Sequence, residues 1–235
     1  MGFFQDMKSV FVKKELVFLE SFKETEGVYS FLFEKEKDLT WKAGQHGLFT
    51  ITHKKVKPST KPFSISSAPT EDVIRITTKI SDHPSDFKKA LLELEKGMTV
   101  TMSGPVGSFQ IIDNSPSLLI AGGIGITPFR SMLKQLEADR STEAKQIKLL
   151  FMDSENLFVH KDELDEMANN TSVTVTYLDS REHLFEEINK FTTIHTTNGT
   201  YLIAGPKSMV ESVSGLLKNN GVSKKNIKRD VLDGY

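Results

Sequence analysis

Residues 118–128 read Leu118-Leu119-Ile120-Ala121-Gly122-Gly123-Ile124-Gly125-Ile126-Thr127-Pro128. A short apolar run breaks into a glycine turn, and a helix start follows. Glycines let the backbone come close to a ligand and take dihedrals that other residues avoid. The unpaired N–H groups of a helix start carry partial positive charge, so a pyrophosphate fits there. Thr127 is expected to cap the helix, with Pro128 at its first position. Phe129, Met132, Leu133 and Leu136 then recur on one helical face. The spacing is not the G-x-G-x-x-G of the common dinucleotide fold, nor is it a Walker loop. A crossover that merely needs small residues would look the same.

Downstream of this turn the rhythm is βα. Strands are expected at 147–152, 173–178 and 201–204, and helices at about 160–168, 181–190 and 208–219. That order predicts a parallel sheet. A second turn, Ala204-Gly205-Pro206-Lys207-Ser208, ends the last strand. Ligands bind outside the carboxyl ends of parallel strands, and both turns belong there.

Upstream the rhythm is β. Tyr29, Phe31 and Phe33 alternate with Val28, Ser30 and Leu32. Short strands are expected at 11–19, 47–52, 63–66, 73–80 and 98–102, separated by Gly and Pro turns, which predicts a small antiparallel barrel or sandwich. One helix interrupts them, with Ser85 as its N-cap, Phe87, Leu91 and Leu94 as its apolar stripe, and Gly97 as its stop. The expected boundary lies at 113–116. Residues 1–112 then form one domain, a β-barrel, and residues 113–235 the other, an α/β nucleotide-binding domain.

Composition narrows the function. The 235 residues carry 30 Lys+Arg against 31 Asp+Glu, a formal net charge of −1, which removes the electrostatic case for nucleic-acid binding. Cysteine is absent, so thiolate metal sites, cysteinyl clusters, disulfides and a catalytic thiol are excluded. No apolar run reaches the ~20 residues of a membrane span. The first residues lack the pattern of a signal peptide, and a cytoplasmic location is expected. The six histidines form no close ligand pair, so no metal site is expected. The basic stretch 53–57 suits either a solvated loop or docking to an acidic partner.

One further motif carries chemistry. Residues 61–69 read Lys61-Pro62-Phe63-Ser64-Ile65-Ser66-Ser67-Ala68-Pro69. A cation, a flat ring and a hydroxyl lie within four residues of a strand. Such a trio suits a phosphate, a heteroaromatic face and its polar edge. A barrel strand with one core Phe is the plainer reading.

Taken in order, Gly44-Gln45, the 61–65 motif, Ile74–Ile80, Gly104–Phe109, Gly122–Pro128 and Ala204–Pro206 resemble the ferredoxin–NADP reductase superfamily over nearly the whole chain. The resemblance implies an FAD-binding barrel followed by an NAD(P)-binding domain, and hydride transfer from NADH or NADPH to the flavin. Electrons then pass to a separate acceptor, such as ferredoxin, flavodoxin, a haem protein, an oxygenase or a ferric chelate.

Carried over residue by residue, it implies that Phe63 stacks on the isoalloxazine and that Ser64 bonds near N5. Lys61, beside Pro62, meets the phosphates. Thr77, Thr78, Lys79 and Ile80 offer backbone contacts. Pro84, Ser85, Asp86 and Phe87 receive the flavin pyrophosphate. Gly122, Gly123, Ile124, Gly125, Ile126, Thr127 and Pro128 hold the nicotinamide dinucleotide. Ala204, Gly205 and Pro206 flank the nicotinamide. Tyr235 covers the flavin face, and Asp230 falls near a family carboxylate.

Two positions depart from the family pattern. Lys61 stands where Arg is usual and cannot form a bidentate fork. Ala204 stands where Cys is common. Both keep open an alternative, a flavin- or nucleotide-binding module acting as a structural or sensing subunit with little turnover. Coenzyme choice is expected to turn on the loop holding Asp153, Ser154 and Glu155, whose carboxylates favour NADH, although Lys161 or Arg181 can bring a cation to it. FAD rather than FMN suits the C-terminal aromatic and the helix at Ser85. With no cysteine and no globin-like segment before the barrel, the acceptor is expected to be a separate molecule.

Overall fold

The computed structural model describes residues 13–111, 114–139 and 146–232. The chain divides into two compact units, Met1–Gln110 and Ile111–Tyr235.

The first unit contains β1 (Lys13–Thr25), β2 (Val28–Glu34), β3 (His46–Ile51), β4 (Thr60–Ser64), β5 (Val73–Lys79), α1 (Asp86–Leu92) and β6 (Thr99–Val106). The strands are antiparallel in the order β4-β3-β6-β1-β2-β5. β1 is long enough to serve two neighbours. Residues 13–17 pair with β6, and Phe18 onward pairs with β2. Just past Ser64 the chain crosses to the far edge: Ser66 N–H donates to the Arg75 carbonyl at 2.8 Å. That bond ties the two edge strands and gives the sheet its barrel form, which spares exposed edges.

Rings fill the barrel. Phe18 meets Phe33, Phe33 meets Phe49, Phe49 meets Phe63, and Phe63 lies stacked on Phe87 of α1, with centroids 5.7–6.1 Å apart. Alternation along the strands points these side chains inward. Against the wall lies a buried polar network that no local pattern announces. Arg75 pairs with Glu24, both side chains about nine-tenths buried. Ser30 bonds Glu24, accepts from Arg75 Nε at 3.1 Å and meets Thr77 Oγ1 at 2.8 Å. A buried ion pair this well bonded is costly to break from one side, ~3–5 kcal/mol.

Ser85 caps α1 as expected, accepting from Lys88 N–H. The helix ends at Leu92, before Gly97, which instead sits in the following turn at φ +92°.

The second unit contains β7 (Ser117–Gly122), a 3-10 turn (Gly123–Gly125), α2 (Ile126–Asp139), β8 (Ile147–Met152), α3 (Lys161–Asn170), β9 (Thr174–Leu178), α4 (Arg181–His195), β10 (Thr200–Gly205), α5 (Lys207–Asn219) and β11 (Ile227–Val231). The sheet is parallel, in the order β11-β10-β7-β8-β9. All six residues of β7 are buried, as a central strand covered on both faces requires. Phe129, Met132, Leu133 and Leu136 face inward as expected. Thr127 is not the cap: the 3-10 turn moves the helix start to Ile126, and the Thr127 hydroxyl donates to the Ile124 carbonyl at 3.0 Å. Pro128 is therefore third in the helix, still within the first turn, where its missing N–H costs nothing.

Candidate functional site

The chain builds β7, then β8 and β9 on one side, then returns to lay β10 on the other side of β7. The strand order reverses between β7 and β10. In open α/β sheets that switch point, beyond the carboxyl ends, is where ligands bind. Both glycine turns emerge from it. Ala121 and Ala204 are direct neighbours in register.

The turns touch. A Cβ on Gly125 would lie 2.2 Å from the Ala204 carbonyl oxygen. A Cβ on Gly205 would lie 3.1 Å from the Gly122 carbonyl oxygen. These glycines are needed because one turn packs on the other, before any ligand arrives. Gly123 is the open one: the nearest atom to a Cβ there is Asp153 Oδ2, at 3.9 Å. Asp153 also accepts from Glu155 N–H at 2.9 Å, which ties its carboxylate into its own loop, while Ser154 is exposed. Pro206 is exposed, and Ile124 is half-buried in the 3-10 turn.

Beside these turns lies a pocket of about 190 Å³, lined by Met152, Arg181, Phe185, Ser208, Met209 and Ser212. Arg181 donates to the Ser212 hydroxyl and lies 5.1 Å from the Phe185 ring centre. Of the two cations considered for this region, Lys161 is held elsewhere, paired with Asp165 at 2.5 Å and lying over the Tyr177 ring.

Asp230 lies on β11, directly beside Ala204 in register. The sequence reading missed this strand and treated its residues as tail. Tyr235 lies outside the described residues.

In the first unit, β4 carries Lys61, Phe63 and Ser64. Phe63 lies in the core of this unit. It is 1% exposed, in an edge contact with Phe49 and stacked on Phe87. Ser64 is 7% exposed, and its hydroxyl has no hydrogen-bond partner among the described residues. Lys61 is half-buried and Pro62 exposed; Lys61 has no carboxylate partner among the described residues. Thr77 belongs to the Arg75 network. Two of the backbone groups expected to be free are taken: Ile80 N–H donates to the Gly27 carbonyl at 2.6 Å, and the Lys79 carbonyl accepts from Lys88 Nζ at 2.6 Å. Thr78 is buried, pairs with Tyr29 of β2, and its hydroxyl lies 3.4 Å from the Lys79 carbonyl. Pro84 is half-buried, Ser85 and Asp86 are exposed, and Asp86 lies 3.7 Å from Lys89. Lys88, which sequence reasoning passed over, is buried beside this group.

Residues 119–215 match the oxidoreductase NAD-binding domain family. The chain is 28% identical over 169 residues to the 2-halobenzoate 1,2-dioxygenase electron transfer component of Burkholderia cepacia, covering 67% of this chain and 49% of the relative. The fold aligns with a ferredoxin NADP+ reductase from Neisseria gonorrhoeae crystallised with FAD and NADP, at TM-score 0.75 and 17% identity over 93% of this chain and 98% of that one. The fold is that of the ferredoxin–NADP reductases. A cytochrome P450 reductase from Amycolatopsis aligns at TM-score 0.78 and 18% identity, covering 93% of this chain and 70% of that one. The chain spans about half the length of the first curated relatives it matches. Among the described residues no helix is long and apolar enough to cross a membrane, and no acidic, His or Cys group is arranged to hold a metal.

Proposed function

We propose that this chain is an NAD(P)H-dependent flavoprotein reductase that transfers a hydride from NAD(P)H to FAD and passes electrons on to a separate acceptor. The observation that carries the reading is a set of uncommitted donors on one strand of the barrel, in a chain whose other unit has an NAD-binding fold. The Ser64 side chain makes no hydrogen bond, and Lys61 has no carboxylate, among the described residues. A hydroxyl and an ammonium left uncommitted on one strand suit a ligand with acceptors. A flavin dinucleotide has them on its ring edge and on its phosphates, and the residues present fit it.

Bound flavin supplies the redox chemistry, converting a two-electron donor into single electrons. The chain supplies position. Ser64 donates a hydrogen bond to the ring edge. Lys61 neutralises phosphate charge. The N–H groups around Gly123 and Ile124 hold the pyrophosphate of the coenzyme. Ala204–Pro206 flank the nicotinamide, with Asp230 on the adjacent strand and Tyr235 a few residues beyond it. Phe63 acts from the core, holding β4 against α1.

For the coenzyme, Arg181 favours NADPH. Asp153 is tied into its own loop, and Arg181 with Ser208 and Ser212 brings a cation and hydroxyls to one pocket past the strand ends. A 2′-phosphate calls for that chemistry.

The buried ring of Phe63 favours the second reading, a flavin-binding module of low turnover. The visible spectrum of the purified protein, followed anaerobically on adding NADPH and then NADH, separates the two. Flavin bands bleached by coenzyme are expected. Bands that persist would favour the module, and a protein that takes up neither FAD nor FMN would end both.

A further inference from the structure

Lys88 is an unusual residue for its position. It follows Phe87 on α1, next to the apolar stripe of Phe87, Ala90 and Leu91, and is only 8% exposed. A Leu or Met would fill that space without desolvating a charge. Its ammonium donates one bond, 2.6 Å to the Lys79 carbonyl at the end of β5. An ammonium has three donors, and no carboxylate faces this one among the described residues. The charged group acting on it is another cation, Lys61, and burial and Lys61 together pull Lys88 down to about 8.

The packing brings together the two elements that carry these lysines. Phe63 stacks on Phe87, which clamps β4 to α1. Lys61 is two residues before Phe63, on the same side of the strand. Lys88 is the residue after Phe87. Two cations with no anion between them are unfavourable unless something negative is supplied.

We propose that Lys61 and Lys88 form a two-lysine clamp for a phosphate or diphosphate group. The proposal rests on the flavin reading above for the identity of that group, the diphosphate of FAD. It assigns Lys88 a ligand contact and gives this chain a second cation where its single Lys61 lacks the fork of an arginine.

The test uses the full chain stripped of flavin, titrated with FAD, riboflavin and inorganic diphosphate. Wild type is compared with Lys88→Met, Lys88→Arg and Lys61→Met. Losing one charge-assisted contact is expected to weaken FAD on the order of tenfold to a hundredfold. Riboflavin, which has no phosphate, should bind within twofold of wild type, and Lys88→Arg should retain most of the FAD affinity. Thermal melting of the stripped protein should show Lys88→Met at least as stable as wild type, since it relieves a buried charge. If wild type binds FAD and both Met variants bind it equally well, the clamp is wrong. If wild type binds no flavin but binds diphosphate, and Lys88→Met weakens that binding, the clamp stands and the flavin reading falls. Wild type that binds neither overturns both.

Discussion

The Cβ that Gly125 lacks would sit 2.2 Å from the carbonyl oxygen of Ala204, so the two turns at the switch point are in backbone contact. Neither side can yield, because the obstructing atoms are main chain. Gly125→Ala should therefore destabilise the protein by about 1–3 kcal/mol, the usual cost of overpacking. It should also weaken NADPH binding more than flavin binding. Urea unfolding and coenzyme titration measure the two effects, and a variant with unchanged stability would show that the turns are free to part.

Ser64 and Phe63 are adjacent and should behave oppositely. Ser64→Ala removes a hydroxyl that bonds nothing among the described residues, so stability should move by less than ~0.5 kcal/mol. Flavin reduction by NADPH should slow at least tenfold in stopped-flow experiments. Phe63→Ala removes a core ring and should cost about 3–5 kcal/mol. The milder Phe63→Leu should keep both fold and flavin. Loss of flavin in a well-folded Phe63→Leu protein would support the stacking role.

Arg181 is the cation of the pocket beside Met209 and Ser212. Arg181→Ala should raise KM for NADPH by on the order of tenfold to a hundredfold, the worth of a charge-assisted contact, and leave KM for NADH within about twofold. Equal losses for both coenzymes would mean that Arg181 only props the pocket.

Lys88 gives the flavin-free protein a pH signature. Burial and the nearby Lys61 hold it at about 8, below the ordinary lysine value of 10.5. A lowered lysine penalises the folded state while it is charged, and the penalty lifts as pH rises from about 8 toward 10.5. The groups facing it are Lys61 from β4 and the Lys79 carbonyl from β5, while Asp86 and Lys89 pair on the exposed side of α1. Relative to Lys88→Met, wild-type protein without flavin should gain thermal stability across that window. Saturating FAD should flatten the difference. Parallel melting curves for the two proteins at all pH values would remove Lys88 from the account.

Local signals in the sequence carried much of the fold. The apolar run of β7, its glycines, the inward face of α2 and the Ser85 cap each follow from residues within a few positions. What escaped was set by distant partners. β11 reads Ile227-Lys228-Arg229-Asp230-Val231, a polar run typical of a charged edge strand, and only pairing with β10 makes it a strand. The burial of Phe63 depends on Phe49 and Phe87, and that of Arg75 on Glu24. The burial of Lys88 has no local signal, because nothing near it in sequence says that Lys79 and Lys61 converge on it. The candidate site was legible as motifs; which of its groups are already spent on neighbours was not.

The central place of β7 has a consequence for how the chain is made. Ser117–Gly122 is the first strand of its unit to leave the ribosome, and it is apolar on both faces. Its partner β8 follows soon, but the other flank stays open until Thr200–Gly205 emerges, and the sheet is not complete before Ile227–Val231. During translation the second unit therefore exposes an unpaired, sticky edge for most of its synthesis. Expression slowed late in the message, or truncated before β10, should send the product to chaperones or inclusion bodies while the barrel, finished by Val106, is already folded.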